Sequence, residues 1–492
     1  MFFTDATPWV VVLLLLLAGA PITFFQARAT RARGARWTAI TSFSIFALAF
    51  ALVALITADG VSYRFRFFGG IPLESSGLAA LLGFASTGLG ALASLYSLRA
   101  LPEESGVERF YPLLMLMAAG TVGVGLASDL FSLYVLFELM AVASFGLVAY
   151  HTGKRASVES GLRYLVMSAA GSLTALLGIA VFYLFAGTFD LATLQARAGA
   201  VPVSVALPAL ALMIVGFSVK AAVVPLHAWI SGAYSAAPAG AASVIAGIVT
   251  VTGLITLVKA LGATTAAATL VPVGAALAVL AVVTMTAGNL WALKERDLKR
   301  MLAYSSVAQV GVILLGFAVA FEFSLPSGVE GSLVQAFNNA IMKGGAFLAA
   351  GALIFAVGSR EFDRLGGAGR HAPAVAFSFA VFALSLAGLP PLSGFIGKLL
   401  IAKSGLDAGG ALALFLVVVL VANSVLSLGY YVPWLNRIAF GSPEAPASPV
   451  KVPWTMQAPV LALAGFTVLF GVFPDWPIAL ASSAGLALPG GG

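Results

Sequence analysis

Apolar stretches about 20 residues long recur along the whole chain and alternate with short polar connections. Each stretch is long enough to cross a bilayer as a helix, so the pattern predicts about 14 membrane spans. They begin near residues 8, 37, 76, 110, 129, 162, 205, 239, 269, 301, 331, 373, 409 and 457. Because the connections are short, residues 1–492 are expected to form a single polytopic, all-α integral membrane domain.

The composition agrees with a membrane protein. The chain is 61% hydrophobic and 9% charged, whereas soluble domains carry about 25% charged residues. There is no cysteine, and the histidines (His151, His227 and His371) are widely separated. Disulfides, thiolate metal sites and haem pairs are therefore excluded, and we expect no metal, cofactor or catalytic redox centre in this chain.

The net charge of +7 does not indicate a nucleic-acid partner, because the basic residues lie in short connections between apolar spans. Most of them fall in one set of alternate connections. The opposite set contains only Arg64, Arg66, Arg197, Lys259 and Lys403. By the positive-inside rule, the richer set faces the cytoplasm and both termini face outwards. The first apolar stretch, Trp9–Phe25, lacks a basic leader and is interpreted as a membrane helix rather than a signal peptide.

Ionisable side chains interrupt four of the apolar spans, at Glu138, Lys220, Lys343 and Lys398. A charge at the bilayer centre costs about 2.5–3.5 kcal/mol on insertion scales, so such residues usually serve a function. The alternative is a structural ion pair, or a side chain that reaches the interface. Glu138 and Lys220 have opposite signs and lie far from their span ends, so they are expected to pair and to carry protons.

Prolines break two of the spans close to a lysine. Pro225 follows Lys220, and Pro390 and Pro391 precede Lys398 in "LSLAGLPPLSGFIGKLL". The two breaks lie five spans apart, so the two helices run in opposite directions. Interrupted spans at matching places in two halves indicate an inverted repeat and an ion pathway at the breaks. Ordinary proline kinks are the alternative interpretation.

Further polar residues extend this hypothetical pathway. His227 follows Pro225 and is either a proton relay or simply hydrogen-bonded. Gln335, Asn339 and Lys343 are spaced four residues apart, which places them on one helix face. Such a polar stripe either lines water or holds helices together.

Five stretches together resemble a known family: "FELMAVASFGLVAY", "VKAAVVPLHAWISGAYSAAPAGAASVIAGIV", "DLKRMLAYSSVAQVGVILLGF", "NNAIMKGGAFLAAG" and "LAGLPPLSGFIGK". They are similar to the antiporter-like membrane subunits of respiratory complex I, energy-converting membrane hydrogenases and multi-subunit Na+/H+ antiporters. The resemblance implies two inverted five-helix repeats, near residues 110–260 and 269–435. It also implies proton translocation along a central hydrophilic axis and association with other membrane subunits.

The resemblance also implies roles for individual residues. Glu138 matches the glutamate of the fifth helix, Lys220 the lysine of the seventh that pairs with it, and Lys398 the twelfth-helix residue on the exit side. Three positions depart from the family pattern. Val251 stands where a lysine is frequent, and Gln335 and Asn339 stand where histidines are frequent. Amides orient water but do not titrate, so the link between the two halves differs from the family pattern.

The favoured hypothesis is a proton-translocating subunit of a complex I-like or hydrogenase-like respiratory complex in a bacterial or archaeal cytoplasmic membrane. The alternatives are a subunit of a multi-subunit Na+/H+ antiporter, in which Na+ also moves, and a structural subunit that keeps the fold without pumping. A stand-alone solute transporter is disfavoured, because no substrate pocket is apparent. The driving reaction belongs to neighbouring subunits, since the chain lacks a P-loop and an NADH-binding loop.

Overall fold

The computed structural model of the protein describes residues 7–30, 34–58, 64–67, 70–101, 106–265, 272–442, 450–486 and 488. The helices of the first part are α1 (Thr7–Thr30), α2 (Gly34–Ala58), α3 (Gly77–Ala100), α4 (Val107–Leu126), α5 (Leu130–Val148), α6 (Arg155–Ala186), α7 (Leu191–Arg197), α8 (Val203–Ala221), α9 (Ile230–Ala236), α10 (Ala239–Val244) and α11 (Thr250–Thr264). Those of the second part are α12 (Val273–Lys294), α13 (Leu298–Phe323), α14 (Pro326–Val357), α15 (Pro373–Ala387), α16 (Ser393–Ala408), α17 (Gly410–Phe440), α18 (Trp454–Val472) and α19 (Asp475–Ser482). A short antiparallel hairpin of β1 (Arg64–Phe67) and β2 (Ile71–Glu74) joins α2 to α3.

The all-α membrane class is confirmed. Among the described residues, 13 helices are long and apolar enough to cross a membrane, and the shorter apolar helix α15 lies where a further span is predicted. The predicted start near residue 269 lies outside the described residues. Helix α6 begins at Arg155 rather than near residue 162. The apolar pattern missed its first turns because they are polar and exposed, with Glu159 and Arg163 paired across one turn at 3.5 Å.

Both predicted helix breaks are present. Helix α8 ends at Ala221, and residues 222–229 form a non-helical break before α9; residues 388–392 similarly separate α15 from α16. Proline cannot donate a backbone hydrogen bond within a helix, so Pro225, Pro390 and Pro391 favour these breaks, although Pro433 stays inside the continuous helix α17. Each exit begins with a left-handed residue, Ala222 (φ 58°) and Gly388 (φ 94°).

The most enclosed helical segment is Ala239–Thr264, in which α10 and α11 are joined by a π-helical turn at Ile245–Val249. The apolar core continues from this segment into α3, α13 and α14. By contrast, α17 exposes most of its surface. Its exposed residues are apolar, for example Phe440, so this helix faces the lipid side of the fold.

Two glycines set the spacing of α6 and α8. A Cβ atom on Gly171 would lie 2.8 Å from the carbonyl oxygen of Gly216, and a Cβ on Gly216 would lie 2.6 Å from that of Gly171. Small residues at such crossings allow the backbones of membrane helices to approach closely. This contact brings the face of α6 that carries Ser168 and Ser172 against the end of α8 that carries Lys220.

We expect Gly216→Ala to destabilise the protein by about 1–3 kcal/mol, because the added methyl group must push backbone atoms apart. The comparison variant is Gly465→Ala, since no atom lies within 4 Å of a Cβ at that glycine of α18. Thermal denaturation followed by fluorescence-detected gel filtration would compare the two. Equal melting temperatures for both variants would show that this crossing is not tightly packed.

Candidate functional site

Lys220 lies in a cage of neutral groups at the end of α8. Its side chain is almost completely buried. The ammonium nitrogen lies 4.5 Å from the ring centre of Phe145 and 4.4 Å from that of Tyr164, and it donates a hydrogen bond of 3.1 Å to the hydroxyl oxygen of Ser168. Cation–π contacts of this kind contribute about 0.5–2 kcal/mol when they are desolvated. The cage therefore holds a lysine at membrane depth without a carboxylate in direct contact.

Glu138 on α5 contacts the same face of α6, one helical turn further along. Its carboxylate accepts a hydrogen bond from the hydroxyl of Ser172, which lies one helical turn from Ser168. Glu138 and Lys220, both within the described residues, form no ion pair within 4.0 Å. The expected direct pair is thus replaced by an arrangement in which two serines of α6 contact the carboxylate and the ammonium group separately.

Lys398 on α16 binds the end of the helix that precedes the second break. Its ammonium group donates hydrogen bonds of 2.9 Å to the carbonyl oxygens of Leu386 and Ala387, the last residues of α15. These carbonyls have no partner within their own helix, and the C-terminus of a helix carries partial negative charge. The break therefore creates, inside the membrane, the acceptors that the buried lysine needs.

Two glutamines extend this contact towards α14. The side-chain amide of Gln309 on α13 donates a hydrogen bond of 2.8 Å to the Leu386 carbonyl, and Gln335 donates one of 3.0 Å to the Gln309 side-chain oxygen. Lys398 and Gln335 are thus joined through one carbonyl and one amide. These two groups, Lys398 and Gln335 are all buried, so the hydrogen bonds among them form a continuous polar connection through the core.

Lys343 lies two turns after Gln335 on α14 and is fully buried. Its ammonium group donates hydrogen bonds to the Ser305 hydroxyl and, at 3.2 Å, to the Leu302 carbonyl, both on α13. Asn338 donates a 2.8 Å hydrogen bond to the Ser393 carbonyl at the start of α16. The predicted polar face of α14 is therefore directed at α13 and α16.

A ladder of aromatic rings runs from the Lys220 cage to α14. Tyr164 stacks on Trp229 with ring centres 4.0 Å apart, Trp229 meets Tyr234 at 6.0 Å, and Tyr234 meets Phe347 at 5.4 Å. Phe347 lies one turn after Lys343. Ring-to-ring packing therefore runs from the Lys220 cage to the turn of α14 that follows Lys343.

His227 lies within the first break and is half-buried. Its ring stacks on that of Trp291 of α12 with centres 4.2 Å apart, and no described residue forms a hydrogen bond with its Nδ1 atom. The Val224 amide, three residues earlier, donates to the Thr284 hydroxyl of α12 at 3.0 Å. The break is thus held against α12, while the relay role of His227 stays a prediction.

The surroundings of Val251 are apolar. A small cavity of about 10 Å³ beside it is lined by apolar residues of α3 and α14, including Leu81, Leu333 and Ala340. No lysine or histidine lines this cavity among the described residues. The polar partners of Lys343 come instead from α13. Val251, at the position where the family frequently has a lysine, therefore lies in an apolar contact between α3, α11 and α14.

Lys259, assigned from the sequence to a connection, is located inside α11. Its ammonium group donates hydrogen bonds of 3.2 and 3.0 Å to the carbonyl oxygens of Val124 and Gly125 at the end of α4. The helix extends beyond the lysine because Ala260–Thr264 continues the apolar, buried pattern. Lys259 is thus a structural partner of a helix terminus rather than a loop charge.

Several residues of the site were not predicted from the sequence. Tyr164, Ser168 and Ser305 contact a lysine, whereas Ser172, Gln309 and Asn338 contact Glu138, the Leu386 carbonyl and the Ser393 carbonyl. Only Gln309 carried a usable signal, as a lone amide in the middle of the apolar stretch of α13. Serine and tyrosine are common in membrane helices, so their roles depend on which faces meet. Among the described residues, no group of three or more His, Cys, Asp or Glu side chains could hold a metal ion.

The broken helices and the interior row of lysines and amides define a class of polytopic membrane proteins with ionisable groups at membrane depth. Residues 127–427 match the family described as "NADH:quinone oxidoreductase/Mrp antiporter, TM". The chain belongs to this family, as the resemblance implied.

Relatives with different host complexes resemble the chain over most of its length. F(420)H(2) dehydrogenase subunit N of Methanosarcina mazei is 30% identical, with 88% of each chain covered. NADH-quinone oxidoreductase subunit N of Desulforudis audaxviator is 34% identical, with 82% of this chain and 81% of the relative covered. A chain of the Mrp complex from Dietzia sp. superimposes with a TM-score of 0.86 and 25% identity, covering 98% of this chain and 97% of that one.

The hydrogen-bonded glutamines predict a specific pattern of stability. We expect Gln309→Leu and Gln335→Leu each to destabilise the protein by about 1–3 kcal/mol, because each leaves a buried polar partner unsatisfied. The double variant should cost less than the sum of the two, since the second change removes the group that the first left unpaired. Thermal or chemical denaturation of the four proteins would measure this coupling, and strictly additive losses would contradict the contact.

Proposed function

We propose that the protein is a proton-translocating subunit of a multi-subunit respiratory membrane complex, driven by redox chemistry in neighbouring subunits. The names of the two curated relatives, a dehydrogenase subunit and a quinone oxidoreductase subunit, support this host. Residues 110–260 and 269–435 form, in this proposal, two inverted repeats that each contribute one broken helix. The protein is placed in a bacterial or archaeal cytoplasmic membrane with both termini outside, in line with its charge distribution.

The single observation that carries the proposal is the environment of the three buried lysines. Among the described residues, Lys220, Lys343 and Lys398 all bind neutral oxygen atoms, and none forms an ion pair within 4.0 Å. A purely structural lysine at this depth would be expected to neutralise its charge with a carboxylate. Lysines held by hydroxyls and carbonyls can instead gain and lose a proton without breaking a fixed pair.

Unsatisfied polar atoms support a hydrated route near these lysines. In the part of the chain that the structure describes, six buried side-chain oxygens have no hydrogen-bond partner: those of Ser218, Thr252, Gln335, Asn338, Asn339 and Ser393. Buried polar atoms are normally completed by ordered water. Ser218 lies two residues before Lys220, and the three amides lie on the helix that carries Lys343. Water at these positions would provide steps between the titratable groups.

The proposed order of groups runs from Glu138 through Ser172 and Ser168 to Lys220, then to Lys343, and through Gln335 and Gln309 to Lys398. Arrival of a proton at Glu138 removes its negative charge, which withdraws an attraction from the nearby Lys220 ammonium group. That lysine then releases its proton more readily towards the second half. The charge on Glu138 in the first half of the protein thus influences proton release from Lys220 towards the second half.

A subunit of a multi-subunit Na+/H+ antiporter is the second candidate, favoured by the close structural likeness to a chain of the Mrp complex. The lysine-rich interior disfavours transport of Na+ along the same path, because ammonium groups repel a metal cation and supply no oxygen ligands. A non-pumping structural role is the third candidate, supported by the apolar surroundings of Val251.

Glu138→Gln and Lys220→Met should each abolish coupled proton uptake while the complex still assembles, because each removes one of the two charges that influence each other. The measurement is proton uptake by inverted membrane vesicles, with a pH-sensitive dye, after addition of the substrate of the complex. Glu159→Gln and Lys294→Met are matched controls, since these side chains are exposed. Near-normal uptake in Glu138→Gln or Lys220→Met would exclude the pumping role.

Lys343→Met should reduce proton uptake as strongly as Lys220→Met if Lys343 replaces the titratable group that is missing at Val251. The measurement is the same vesicle assay at matched amounts of assembled complex. A mild effect would mean that the path between the halves bypasses α14. Repeating the assay in sodium-free and sodium-containing buffers, with ²²Na⁺ uptake, separates H+ pumping from Na+/H+ exchange.

A further inference from the structure

A cavity of about 470 Å³ opens beside the junction of α9 and α10, away from the lysine path. Its lining includes Lys154 at the start of α6, Lys299 at the start of α13 and Arg360 in the connection after α14. No Asp or Glu side chain lines it among the described residues. Cations from three separate elements therefore converge on one opening.

The three charges are only partly compensated. Arg360 pairs with Asp297 at 2.5 Å, and its guanidinium also donates a 3.4 Å hydrogen bond to the Ser235 carbonyl. Lys299 donates one hydrogen bond, of 2.9 Å, to the Ala237 carbonyl, so two of its three donor hydrogens remain for another acceptor. Lys299 also lies within electrostatic reach of two cations, Arg360 and Lys154, and of one carboxylate, Asp297. An anion between these groups would relieve their mutual repulsion.

We propose that this cavity binds the phosphate headgroup of an anionic membrane phospholipid. Phosphate oxygens suit the convergent lysine and arginine donors. Basic pockets between membrane helices on the cytoplasmic side are a recognised setting for anionic headgroups. All three cations belong to the face that the charge distribution assigns to the cytoplasm.

The apolar residues of the lining favour an anion that is attached to a hydrocarbon chain over a free anion. Ile354 and Phe355 also line the cavity; Ile354 is partly exposed and Phe355 is 37% exposed. A free phosphate ion would gain nothing from these apolar walls, whereas the glycerol and upper acyl chains of a lipid would cover them. The basic and apolar portions of one cavity together match a phospholipid.

The test uses the purified complex after delipidation, titrated with phosphatidylglycerol or phosphatidylcholine and observed by native mass spectrometry. The site variant combines Lys154→Gln, Lys299→Gln and Arg360→Gln. The matched control combines Lys294→Gln, Arg300→Gln and Lys451→Gln, which changes the net charge equally at exposed residues outside the cavity lining. A third arm adds millimolar inorganic phosphate to the wild-type complex.

Each charge near a headgroup contributes about five-fold in affinity. The site variant should therefore bind phosphatidylglycerol about a hundredfold more weakly than wild type, while the control variant and phosphatidylcholine binding stay unchanged. Lys154→Gln alone should weaken phosphatidylglycerol binding about five-fold. Because Lys154 is exposed, this single variant tests the proposal even if the triple variant fails to fold. Equal phosphatidylglycerol affinity in site and control variants would overturn the proposal. So would displacement of the lipid by inorganic phosphate, which would indicate a site for a free anion.

Discussion

The structure depends on how a membrane protein satisfies an ammonium group that has no water around it. In the described residues the recurrent solution is the end of a helix, where the last carbonyls lack intrahelical partners and carry partial negative charge. The buried Lys398 binds the end of α15, and the partly exposed Lys259 and Lys299 likewise bind the end of α4 and the carbonyl that follows α9. A neutral oxygen that is already oriented stabilises the charge without fixing it in an ion pair, which leaves the proton exchangeable.

This constraint explains why the breaks and the lysines occur together. A continuous helix would place its free carbonyls at the membrane surface, whereas a break places them at membrane depth. Irregular backbone is tolerated there only where protein or water covers it. At the second break, Lys398 and Gln309 satisfy the Leu386 carbonyl. At the first break, α12 supplies the cover through Thr284 and Trp291. The second break is therefore part of the binding site of Lys398 and not a defect near it.

The apolar periodicity of the sequence located the membrane spans, because the length of an apolar stretch is directly constrained by the bilayer. Pro225, Pro390 and Pro391 located the two breaks for an equally local reason, the missing amide donor. The hairpin of β1 and β2 was not predicted, since its short strands carry no extended alternation. The relation between Glu138 and Lys220 was not predictable either. It depends on Ser168 and Ser172 on one face of α6, and the position of that face is set by the contact of Gly171 with Gly216, a property of the packed fold.

The central claim is that a lysine held by helix-end carbonyls carries the transported proton. It is tested most directly by measuring substrate-driven proton uptake in vesicles that contain the assembled complex with Lys398→Met, beside Lys403→Met, which alters an exposed lysine on the same helix. The account predicts that Lys398→Met loses coupled uptake and that Lys403→Met keeps it. Equal uptake by the two variants, at equal amounts of assembled complex, would contradict it.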